Sequence, residues 1–254
     1  MLILSAPFQE NLSLLPRRLI QFEEDPAIAG AAPGTRPLSR DYSFWLYHRV
    51  AQSFRGIALI MTDNFRWGHP GETSLSYGLL RHLLENYADL YNAYMTGGRS
   101  YWYWRYMSGL HEEGQREESF SHLEEALPSW ASHKGRDGKI RRANRLTRYL
   151  QMAPVPSLLE KTLPGLSAFH RSIRSLDSRA SSAFHSNSPD FLRDALACDE
   201  ELFLSAHMAL ASSLALITAI YQSPWQYNMR ELLWPPLLTN LRLLREGNAV
   251  LLQS

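Results

Sequence analysis

The stretch Leu202-Phe203-Leu204-Ser205-Ala206-His207-Met208-Ala209-Leu210-Ala211-Ser212-Ser213-Leu214-Ala215-Leu216-Ile217-Thr218-Ala219-Ile220-Tyr221 decides the fold, because twenty consecutive residues pass without a formal charge. A helix that is apolar on every side has to be surrounded, by lipid or by other helices. Twenty residues suffice to span a bilayer. However, Ser205, His207, Ser212, Ser213 and Thr218 dilute this stretch, basic flanks are missing, and no second segment resembles it. It therefore reads as the central core helix of an all-α, multi-helix bundle with no membrane attachment.

Working outward, Ser188-Pro189-Asp190 is a helix start signal: a capping serine, a proline at the first position and an acid at the positive helix end. Upstream, a helical pattern runs from Leu166 to His185. Phe44, Tyr47, Val50, Ala51, Phe54, Ile57, Ala58, Met61 and Phe65 predict another helix, with Asp41 as a candidate cap. Leu80, Leu83, Leu84, Tyr87, Tyr91 and Tyr94 form the stripe of a third, capped by Thr73 or Ser74. Residues 12–24 fit one amphipathic helix with Pro16 in its first turns, and 26–37 read as a linker rich in proline and glycine. Pro224 and Pro235-Pro236 separate short final helices. Two parts are expected: a loosely structured N-terminal segment and linker over 1–38, and a single helical domain over 39–254. No alternating run bounded by hairpin turns occurs, so very little sheet is expected.

Composition excludes several function classes. The net charge is +1, which gives no global field for nucleic acid and no DNA signature. The basic residues are 23 Arg and three Lys, a bias that a GC-rich genome also produces. A single cysteine, Cys198, rules out a disulfide framework and a cysteine-based zinc site. The apolar start has no basic leader before it, so a cytoplasmic location is expected. Glu-x-x-His occurs nowhere and His-Glu-x-x-His is absent, so no metal site is expected. Gly-x-Gly-x-x-Gly and Gly-Lys-Ser/Thr are also absent, so no cofactor is expected. The aromatic cluster at 101–106 reads as a buried helix rather than a base-stacking platform, and the basic run at 134–148 as a solvated face.

One constellation suits phosphate chemistry. The sequence holds three Arg/His pairs six residues apart: Arg105/His111, Arg116/His122 and Arg179/His185. Only the last ends a patterned helix just ahead of a capped one, in Arg179-Ala180-Ser181-Ser182-Ala183-Phe184-His185-Ser186-Asn187. Arg179-x5-His185 resembles the Arg-x4–6-His motif of the HEPN superfamily, all-helical proteins that often act as ribonucleases in toxin and defence systems. Uncharacterised bacterial members are nearer in pattern: Leu176-x5-Ser182-x2-His185 is similar to their late helix, and Arg81-His82-Leu83-Leu84-Glu85 to the Arg-x3-Glu pair of their early helix.

The resemblance implies an HEPN-like bundle and metal-independent RNA cleavage. His185 would shuttle the proton of the attacking 2′-hydroxyl or the leaving oxygen. Arg179 would hold the scissile phosphate, with Ser182, Arg81, Glu85 and Asn187 in support. Six helical positions put the two main side chains about 120° apart, so convergence requires the helix to end near His185 or a second copy of the chain to face the first; a homodimer is the family habit. The position after the motif arginine, polar in active members, is Ala180. A second reading therefore stands beside the first: a non-catalytic helical domain that binds a protein partner or a nucleotide-like ligand, with His185 as a structural histidine.

Overall fold

The computed structural model describes residues 2–24, 38–67, 73–95, 152–184, 191–221 and 229–252. Along the chain run β1 (Leu2–Leu4), α1 (Ala6–Glu23), α2 (Leu38–Trp67), α3 (Thr73–Met95), α4 (Ser157–Thr162), α5 (Leu166–Phe184), α6 (Phe191–Tyr221), a π-helical turn (Met229–Leu233), α7 (Trp234–Arg245) and β2 (Val250–Leu252). The all-α bundle is as expected, and its sheet is a single antiparallel ribbon, Leu2–Leu4 paired with Val250–Leu252. The linker at 26–37, the aromatic cluster, the basic run, His185 and Asn187 all lie outside the described residues.

The uncharged stretch is the interior of α6. Over Glu200–Ala219, 83% of it is buried inside the protein, covered by α2, α3, α5 and α7. Helices α2 and α3 are antiparallel: Ser53 meets His82, and Gly56 meets Leu79 three residues further along one helix and three back along the other. Gly56 allows this approach, since a Cβ there would stand 2.7 Å from Leu79 Cδ1.

The N-terminal segment is not loose. Phe8, Leu12, Leu15, Leu19 and Phe22 of α1 are fully buried in the common core, at alternating spacings of four and three that keep one face inward. Pro7 sits in the first turn and Pro16 lies inside the helix, where it gives up one backbone donor. Pro235 and Pro236 likewise begin α7 rather than separate two helices; the first turn is where a missing N–H costs nothing. Gly247, at φ +67°, closes α7. Its N–H bonds Leu244 O and the Asn248 N–H bonds Leu243 O, the paired closing bonds that need a left-handed residue. That turn leads the chain into β2.

Two buried histidines tie helices together. His207 is fully buried between the rings of Phe8, Phe54 and Phe203. Its Nδ1–H donates to Phe203 O at 2.7 Å, so Nε2 is the acceptor for the Asn240 amide of α7 at 3.1 Å. His170 of α5 accepts the Tyr87 hydroxyl at 2.5 Å, and Tyr87 also meets Ser212 of α6 at 2.8 Å. The Tyr91 ring stands edge-on to His170 at 4.5 Å. Burial disfavours the imidazolium and lowers both pKa values to about 4.

Truncating α1 should be costly. Leu15→Ala is expected to lose about 2–5 kcal/mol of unfolding free energy in urea titrations; a change near zero would place α1 outside the cooperative core. The histidines set the acid limit. Between about pH 6.5 and 4 the unfolded chain binds protons that the folded one refuses, so stability is complete above that window and falls as pH drops through it. Holding each ring at about 4 rather than 6.5 corresponds to roughly 3 kcal/mol, so two such losses rival the whole stability of a typical domain. Stability that stays flat from pH 7 to 4 would contradict neutral burial.

Candidate functional site

Helices α3 and α5 carry the residues singled out by sequence, and the structure sorts them into two places. On α3, Arg81 and Glu85 form an i, i+4 pair with Nε–Oε1 at 3.5 Å, and both side chains are about three-quarters buried. Arg81 Nη1 also donates to Ser181 Oγ of α5 at 3.3 Å. The pair is thus more than a surface decoration: it touches the helix that carries Arg179. Asp177, one turn before Ser181, is buried at the same α3–α5 seam.

Arg179 is elsewhere. Two residues of helix turn the chain by about 200°, so Arg179 lies on the opposite side of α5 from Ser181. There it faces solvent and Glu201 of α6. Nη1 donates to Oε2 at 2.6 Å and Nη2 to Oε1 at 2.5 Å, a fork-to-fork pair. The two side chains are 51% and 41% exposed.

Ser182 is exposed and donates to Ser178 O of its own helix at 3.1 Å. Ala180 is fully buried: the position points into the core, where an unpartnered polar group would be destabilising. His185 and Asn187 lie outside the described residues, so the structure supports the Arg81–Glu85–Ser181 contact and the Arg179–Glu201 contact, and these do not meet.

Sequence reasoning missed a third cluster beside Arg81. His82 Nε2 takes a bond from Arg49 Nη2 at 2.6 Å. A guanidinium can only donate, so Nδ1 carries the proton and gives it to Ser53 Oγ at 2.8 Å, whose own hydroxyl bonds Arg49 O. Arg49 lies over the Trp45 ring at 4.8 Å. Burial first, and the Arg49 charge second, lower the His82 pKa. His82, Arg81 and Glu85 line one end of an open groove of about 470 Å³ whose other walls are Ile60, Leu75, Gly78 and Leu79. The sequence signal was a histidine inside the Arg-x3-Glu string, but its arginine partner lies 33 residues away on α2. No group of three or more His, Cys, Asp or Glu side chains that could hold a metal occurs among the described residues.

The two arginines should differ in mutation. Arg81→Ala strips a guanidinium from a mostly buried carboxylate and is expected to cost about 1–3 kcal/mol. Arg179→Ala should cost less than about 1 kcal/mol, as exposed pairs do. Equal losses in thermal unfolding would refute this division. Comparison of the chain with protein-family models, with curated proteins and with solved structures finds no match, so its role has to be argued from these residues.

Proposed function

We propose that this protein is a non-catalytic helical domain that binds a phosphate-bearing, nucleotide-like ligand on the outer face of α5. One observation carries the reading: both terminal nitrogens of Arg179, the arginine a nuclease would need on its scissile phosphate, are taken by the Glu201 carboxylate. The same face supports binding. Arg171, Ser175, Ser178, Arg179 and Ser182 are all exposed there, with Arg174 exposed at its edge, and Asp177, the one acid of the helix, is buried. Guanidinium groups on an exposed helix face suit phosphate oxygens.

The second reading, an HEPN-like endoribonuclease of a toxin or defence system working as a homodimer, is favoured by the Arg81–Ser181 bond, which joins the two motif-bearing helices. In that reading His185 moves the proton and Arg179 must exchange Glu201 for the phosphate.

The deciding experiment is incubation of purified protein with single-stranded RNA in the presence of a chelator. The proposal expects no cleavage above background and no difference between wild type and His185→Ala. Cleavage that disappears in His185→Ala, with the unfolding midpoint unchanged, would replace it with the ribonuclease.

A further inference from the structure

We infer that Glu201 is a releasable internal occupant of the α5 face, an autoinhibitory carboxylate that the phosphates of a nucleic-acid strand displace from Arg179. This rests on the binding reading above and adds its regulation. A carboxylate that meets a guanidinium through two oxygens has the form in which a phosphate would meet it. Arg179 is always charged, so removing Glu201 leaves it available at any working pH.

The contact is also built to open. Both partners are about half exposed, and exposed pairs are weak and screened by salt. The Tyr87–His170 and Arg81–Ser181 contacts of α5 differ in kind: both are part-buried and neither involves Glu201. Releasing Glu201 therefore leaves α5 in place.

Charge complementarity selects the occupant. Arg171 and Arg174 are exposed, Arg171 within the field of Glu160 and Arg174 at the edge of the face, so with Glu201 moved aside α5 presents three guanidinium groups to solvent. From Arg171 to Arg179 the helix rises about 12 Å. A single strand carries a phosphate every few ångströms of its axis, so several phosphates reach this span, whereas a mononucleotide engages one end. Between the arginines, Ser175 and Ser182 spend their hydroxyl protons on their own helix carbonyls, and the one acid of α5 itself, Asp177, is buried.

Fluorescence anisotropy of the full chain tests this, with a labelled single-stranded oligoribonucleotide and a labelled nucleoside triphosphate as probes at low, fixed salt. Glu201→Gln keeps the shape and removes the charge; Glu201→Ala is the second variant, and unfolding midpoints report that each is folded. The expected result is oligonucleotide binding about two- to five-fold tighter in both variants, a smaller gain for the triphosphate, and loss of the gain when Arg179→Ala is added. Arg174→Ala should weaken oligonucleotide binding in every background. Binding by the wild type that Glu201→Gln leaves unchanged overturns the clamp while the binding reading stands. A gain that survives Arg179→Ala also overturns it, since that is only a change in net charge. Failure of every variant to bind either probe removes the clamp and the binding reading together.

Discussion

The burial of α6 on all sides is the constraint to which the other elements answer. Its uncharged surface leaves no polar face for water, so α2, α3, α5 and α7 must close around it. His207, Ser212, Ser213 and Thr218 are tolerated inside it because each has a partner close by. Ser213 and Thr218 bond carbonyls one turn back, at Ala209 and Leu214, a habit of hydroxyls in buried helices. His207 bonds Phe203 O in the same way and spends its second nitrogen on Asn240. An unpartnered polar atom in any of these places would cost about 1–3 kcal/mol.

The same polar groups give the bundle its register. Apolar packing holds helices together without fixing how far one slides along another, whereas a hydrogen bond between named atoms does. Asn240 to His207 fixes α7 on α6. Ser212 to Tyr87 to His170 fixes α3 and α5 against α6 at a single level. Glu160 then fixes the start of α5 from outside: its carboxylate accepts the Gly165 and Ser167 N–H groups and the Ser167 hydroxyl, which hold it below the usual carboxylate range. With the first turns of α5 set this way, the direction in which Arg179 and Arg81's partner Ser181 face is a consequence of the core and not of the candidate site.

Much of this was legible, and the exceptions have physical causes. Continuous stripes such as Leu80 to Tyr94 found α3 because burial repeats at the helical period. The sequence puts the start of α1 late and in a loose segment because Pro16 weighs as a breaker locally; the five large residues of one face outweigh a missing hydrogen bond once they are buried. The Arg49–His82 bond could not be read, since it depends on how α2 and α3 align. The Arg179–Glu201 bond is hidden for the same reason, since Glu201 lies 22 residues away on the next helix. Ala180 was legible as a departure but not as a cause, because only the fold shows that its position faces inward.

The separation of Arg81 from Arg179 bears on any phosphate chemistry this chain performs. About 200° of α5 stands between Arg179 and Ser181, the residue that Arg81 meets, so the two arginines serve opposite sides of that helix. Arg81 is mostly buried, paired with Glu85 and bonded to Ser181, and withdrawing it would leave a carboxylate stranded in a poorly hydrated seam. Arg179 trades one exposed anion for another at small cost. The inner arginine therefore positions α5, and the outer one is the group free to exchange partners. The resemblance implied Arg179 on the phosphate with Arg81 in support; the geometry separates them, Arg81 at the contact of α3 with α5 and Arg179 on the exposed side of α5.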